Sequence, residues 1–210
     1  MKSAFSKEKI KYLFYTLSHP MDGFYWIRHA QKGSVPIAIL LVLLFSFSFT
    51  INRLNAGFVV NDLDPREISS LQDLAGVLAF YLLLCAGNWS ITCLTNGEGR
   101  LKDIAIAIGY GTFPITTVLL VSTVVSRFLA DDEQAFYGII LGVGIAYGVL
   151  VMLVGIMQVH NYTLGKTLIT LFLTFIAILI IIFVLLLLSN LLGLVVNFFK
   201  SAYTELLYKA

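Results

Sequence analysis

Five stretches of the chain, at about 35–52, 72–94, 103–126, 136–158 and 168–192, are apolar and almost free of charge. A helix rising about 1.5 Å per residue needs about 20 residues to cross roughly 30 Å of hydrocarbon, and each stretch approaches or exceeds that length. With 59% hydrophobic residues, 12% charged residues and a mean hydropathy of +0.90, a soluble domain of 210 residues has too small a core to hide them. The expected fold is therefore all-α: a polytopic membrane protein of five transmembrane helices. Residues 1–33 read as an interfacial amphipathic segment, 34–195 as the five-helix domain and 196–210 as an external amphipathic tail. The first apolar stretch is too long for a secretory signal, and "TINRLNAGF" after it is a weak cleavage context.

Lys and Arg near span ends are retained on the cytoplasmic side. The N-terminal segment and the loops after the second and fourth spans hold nine of the 14 basic residues, for a balance of +5 against −3 on the other side. The N-terminus is expected in the cytoplasm and the C-terminus outside, in a multi-pass cell-membrane protein.

Before the first span, Ile10, Leu13, Phe14 and Leu17 share one helical face, and Lys7, Lys9 and Lys11 are available to anionic lipid. This segment is expected to lie flat on the bilayer, to bend at Pro20 and Gly23, and to anchor the first span with a belt of Phe24, Tyr25 and Trp26. In the longest external loop, Asp64 and Glu67 flank Pro65 in a capping-box pattern that Ser70 and Asp73 repeat, predicting a short surface helix.

The fourth span carries Gly138 and Gly142, then Gly144 and Gly148, two small-xxx-small pairs that let helices approach closely, so this span is expected to be central or at a subunit interface. Asn88 is the main polar side chain inside the bilayer and is expected to bond across helices. No ionisable residue lies at a span's centre, which removes the usual fingerprint of proton-coupled transport. Ser90 and His160 lie at similar depth, but no Gly-x-Ser-x-Gly elbow and no third orienting residue accompany them, so no catalytic residue is assigned. His19, His29 and His160 map to one side without ligand spacing; no metal site, cofactor or nucleic-acid partner is expected. In "NGEGRLKD", a tight turn that turns Arg100 and Lys102 toward lipid phosphates is preferred to a phosphate cradle, because no strand precedes it.

Three pieces, "HPMDGFYWI", "NGEGRLKDIAIAIGYGTFP" and "VHNYTLGKT", in this order and spacing, resemble the Ypt-interacting-protein (Yip) domain family of five-span membrane proteins, from about His19 to Leu192. The matching positions are Pro20, Gly23, Phe24, Gly97, Gly99, Tyr110, Pro114 and His160, which the residues alone present as a bend, a tight turn, a mid-helix kink and a loop polar group. The resemblance implies a non-enzymatic protein that organises or partners with membranes. Eukaryotic members bind small Rab-type GTPases through a long cytosolic N-terminal region; only about 33 basic-leaning residues precede the first span here, so GTPase binding is not expected and a prokaryotic member is. Bacterial relatives are expected beside carbohydrate import systems, which would make the partners other integral membrane proteins such as ABC transporter subunits, besides membrane lipids. The alternative is a small transporter, channel or lipid-moving protein with a path along the second to fourth spans, past Asn88, Tyr110 and Tyr147.

Overall fold

The computed structural model describes residues 6–61 and 63–208; Lys2, Asp62 and Lys209, counted in the charge balance, lie outside them. The described residues form seven α-helices: α1 (Lys7–Ser18), α2 (Pro20–Ala30), α3 (Val35–Asn55), α4 (Ser70–Leu94), α5 (Leu101–Val125), α6 (Gln134–His160) and α7 (Leu164–Tyr208). Helices α3 to α7 are long and apolar enough to span a membrane, as the sequence requires.

The centre of the bundle is α5, not the glycine-rich fourth span. Over its most apolar window α5 is 56% buried, against 22% for the fourth span and 11% for α7. It packs most heavily on α6 and α3, while α4 leans on α7 and α6 barely meets α7. The α3–α5 crossing is made by Gly109, where a Cβ would lie 2.7 Å from that of Ala38. On α6 the two glycine pairs part company. Gly144 faces Val118, and Gly148 faces Ile115 and the Gly111 carbonyl, so both are filled by α5. Among the described residues nothing lies within 4 Å of where a Cβ would stand on Gly138 or Gly142, so these two make no close packing with them.

The N-terminal segment forms the expected helix, α1, and after the bend a second helix, α2, folds back on it as a hairpin. His19 alone separates α1 from α2 and carries the bend, with Pro20 in the first turn of α2, where its missing N–H costs nothing. Gly23 is not at the bend: it sits inside α2, where α1 crosses it, and a Cβ there would come 2.6 Å from Thr16 Cα. The Tyr12 hydroxyl donates to the Gly23 carbonyl at 2.9 Å. Burial, and to a lesser degree the acidic groups of Tyr15, Tyr110 and Asp22 nearby, pushes the Tyr12 phenol up to about 12. Phe24, expected in the aromatic belt, is fully buried with Ile27, whereas Tyr25 and Trp26 are exposed. The apolar face of α1 is likewise divided, Leu13 and Leu17 inward, Ile10 and Phe14 outward.

At the end of the bundle carrying the α3–α4 and α5–α6 connections, called distal here, Asn52 ties three helices. Its Nδ2 donates to Thr123 Oγ1 at 2.8 Å and its Oδ1 accepts from the Tyr137 hydroxyl at 3.0 Å. Asp73, in the first turn of α4, pairs with Arg53 at 2.5 Å and accepts from Thr50 at 3.0 Å. The expected surface helix is a single 3-10 turn, Pro65–Glu67, capped by Asp64. Ser69, one residue before the expected Ser70, caps α4 by accepting from the Gln72 N–H. Beyond the fifth span α7 does not break; it runs on as one helix through the segment read as a tail.

Candidate functional site

The proximal end of the bundle, where the α2–α3, α4–α5 and α6–α7 connections lie, gathers two motif glycines around the side chain of a third motif residue. His160 is the last residue of α6 and is 1% exposed, so it is a buried group and not the loop polar cap the sequence suggested. Its Nδ1 accepts the Gly99 N–H at 3.1 Å, across 61 positions of sequence. That bond places the proton of a neutral ring on Nε2, a buried donor without a partner among the described residues.

The glycines of the α4–α5 turn are there for space. Neither Gly97 nor Gly99 has a positive φ; the left-handed position in this turn belongs to Asn96, at 54°. A Cβ on Gly97 would come within 2.7 Å of both His160 Nδ1 and the Tyr162 hydroxyl, and one on Gly99 would strike Val159 and the His160 ring. The α6–α7 turn closes the other side: Asn161, with a φ of 56°, ends α6, and the Tyr162 N–H reaches back to the Met157 carbonyl at 2.9 Å. Tyr162 then stacks on His160 with centroids 5.3 Å apart, shares a 2.9 Å hydrogen bond with Thr95 Oγ1, and carries Lys166 Nζ 4.0 Å from its ring centroid.

Charged residues brace this junction from α2 and α5. Arg28 donates to the Val159 carbonyl at 3.0 Å and pairs with Glu98. Arg100 donates from Nε to Asp103 Oδ2 at 2.8 Å, and its Nη2 reaches the Arg28 carbonyl at 3.4 Å. Asp103 is 2% exposed and also caps α5 by accepting the Arg100 N–H. Arg100, expected to face lipid phosphate, is thus engaged on its inner side while its side chain remains half-exposed. The arrangement is a lock: α2, the α4–α5 turn and the α6–α7 turn, far apart in sequence, are held in one geometry by partly buried polar bonds.

The remaining motif residues stand elsewhere. Phe24 packs against Gly155 of α6, one turn from the junction. Tyr110 is fully buried and its hydroxyl accepts the Ser34 N–H at 3.2 Å, fixing the start of α3. Pro114 lies inside α5, where its missing N–H deprives the Tyr110 carbonyl of its ordinary donor. Pro114 borders an open surface cleft shared with Phe14, Leu17 and Tyr147. Ser90 is exposed and His160 is turned to Gly99, so the structure does not assemble them as a nucleophile and base. Arg28, Asp103 and Tyr162 were not singled out from sequence; only Asp103, three residues after Arg100, carried a local cue, the spacing of a capping box.

Asn88 is 1% exposed and donates from Nδ2 to Thr174 Oγ1 at 3.2 Å, joining α4 to α7. Tyr147 donates to the Leu17 carbonyl at 2.5 Å. Asn88, Tyr110 and Tyr147 therefore each engage a different neighbour: α7, the start of α3, and α1.

Comparison with curated proteins gives no match, and neither does comparison with solved structures. The family profile of the Yip1 domain matches residues 14–200, a stretch that takes in the end of α1, all of α2 to α6, α7 as far as Lys200 and every residue of the junction. The chain belongs to the Yip1 domain family.

Proposed function

We propose that this protein is a non-enzymatic accessory or assembly subunit that binds other integral membrane proteins. The observation that carries the reading is α7. From Thr167 to Phe199 it has 33 residues without a charge, and its apolar window is only 11% buried by the rest of the chain. That length corresponds to about 50 Å of helix, against roughly 30 Å of hydrocarbon. Lipid covers one membrane thickness of it; a second helical protein alongside covers the remainder. Gly138 and Gly142 on the outer face of α6 add a second place where a helix can approach closely.

In this reading the N-terminus and the proximal junction face the cytoplasm of a cell-membrane protein, the distal end and the tail beyond residue 195 face outward, and the five spans form one unit. The partner is a multi-span transport protein, with ABC-type carbohydrate importers first on the ground that prokaryotic relatives are expected beside them. No small GTPase is invoked.

The test is a mild-detergent purification of the tagged full-length protein from its own membranes, with mass spectrometry of what accompanies it. Stoichiometric recovery of another membrane protein is expected. A homo-oligomer without a partner would overturn the proposal.

A further inference from the structure

We infer that the cleft between α4 and α6 is a binding site for a single-chain lipid carrying a hydroxyl or amide N–H, and that this donor is received by Asn88 Oδ1. The two helices do not close on each other; α5 forms the floor between them. Two cavities lie along this floor, one of about 450 Å³ toward the distal end and one of about 190 Å³ beside Asn88 and Thr174. They share Leu84, Ile108, Val149 and Met152 as walls and so form one continuous path.

Among the described residues, the buried polar side chains along this path are satisfied, with one exception; at the distal mouth Asp73 is paired with Arg53 and Thr50, and Gln72 is exposed. The Tyr81 hydroxyl donates to the Ala105 carbonyl at 2.9 Å and Thr112 to the Gly109 carbonyl at 2.7 Å. Thr174 donates to the Thr170 carbonyl at 2.8 Å, which commits its proton and leaves its oxygen to accept from Asn88 Nδ2. That fixes the amide: turning it over would set two acceptors against each other. Asn88 Oδ1 is then an acceptor, buried and without a donor among the described residues. Hydrocarbon supplies none, and an unpaired polar atom at membrane depth is penalised.

The chemistry of the occupant follows from the walls. They are aliphatic and aromatic, and the lips are open to the bilayer at Phe80 and Val149, 59% and 51% exposed. The larger cavity falls within the range of small-molecule sites, about 300–1,000 Å³. A helix about 10–12 Å across is too thick to reach Asn88 at the narrow end. A hydrocarbon chain fits the path, and a hydroxyl or amide at its end supplies the missing donor.

The test uses the full-length protein in phosphatidylcholine vesicles with a trace of photoreactive diazirine hexadecanol or its methyl ether, and maps the labelled peptides by mass spectrometry. The alcohol is expected to label the segments around Leu84 and Met152 about fivefold to tenfold more than the ether, the worth of one intramembrane hydrogen bond. Asn88→Leu should make the two probes equal. Because that variant can disturb the contact with α7, Val149→Trp, on the exposed lip, serves as the second: it should cut labelling at both segments by a similar factor while the protein elutes unchanged. Equal labelling by alcohol and ether in the unaltered protein, absence of labelling at these segments, or labelling indifferent to Val149→Trp would overturn the inference.

Discussion

The Gly99 N–H donates to Nδ1 of His160 at 3.1 Å, a bond possible only because Gly99 has no Cβ to strike the imidazole and Val159. His160 is buried and Gly99 partly so, and losing one strands the other. His160→Phe keeps an aromatic ring, though a larger one, and removes the acceptor, leaving a backbone N–H unpaired at a cost of about 1–3 kcal/mol. At about 2–4 °C per kcal/mol for a chain of this size, thermal unfolding in detergent should fall by several degrees. Gly99→Ala should do at least as much, by steric means. An unchanged midpoint in both variants would mean the junction does not hold the bundle together.

The two glycine pairs of α6 should behave differently. Gly148→Leu drives a side chain into Ile115 and toward the Gly111 carbonyl, 2.9 Å from the would-be Cβ, an overpacking worth about 1–3 kcal/mol or more. Gly142→Leu meets open space and should change the unfolding midpoint by no more than about 0.5 kcal/mol equivalent. If the outer face of α6 receives a partner, Gly142→Leu should still reduce recovery of that partner in the pull-down. Equal destabilisation by both substitutions would show that this face is already occupied.

The five spans were legible because a bilayer dictates their length, and the apolar runs at 35–52 through 168–192 have no other use. Their arrangement was not. At about 100° per residue, Gly144, Gly148 and Gly155 fall within about 40° of one another, while Gly138 and Gly142 lie about 120° around the helix. Spacing marks both pairs alike; only the position of α5 decides which is filled. His160 was misread for a related reason, since its burial comes from a turn 61 residues away and leaves no local signature. Pro20 was a true punctuator, but a proline in a first turn starts a helix as readily as it ends one, and the sequence did not distinguish the two.

The α1–α2 hairpin should be insensitive to pH over the ordinary range. Tyr12 holds it by donating to the Gly23 carbonyl, and its phenol is raised from about 10 to about 12. A raised value means the proton favours the folded state: the contribution is full below about pH 10 and is lost as pH climbs from there toward 12. Spin labels at the exposed positions Ile10 and Met21 should give one narrow distance between pH 5 and 9, broadening above about pH 10. Tyr12→Phe, which removes about 0.5–1.5 kcal/mol, should broaden it throughout. Broadening in the unaltered protein below pH 9 would assign the contact to another group.

The proposed orientation can be read from a native thiol. Cys93 is exposed one residue before the end of α4, beside the α4–α5 turn, whereas Cys85 is buried two turns deeper. A membrane-impermeant maleimide should therefore label the protein in inverted vesicles and not in intact cells, since the proximal junction is assigned to the cytoplasm by its excess of Lys and Arg. Cys93→Ser should abolish the labelling and Cys85→Ser should leave it unchanged. Labelling in intact cells would place the junction of Arg28, Gly99 and His160 outside, and with it any partner that docks there. The outcome also bears on α7, whose far end must lie on the opposite side from Cys93 because the α6–α7 turn shares the proximal end with the α4–α5 turn.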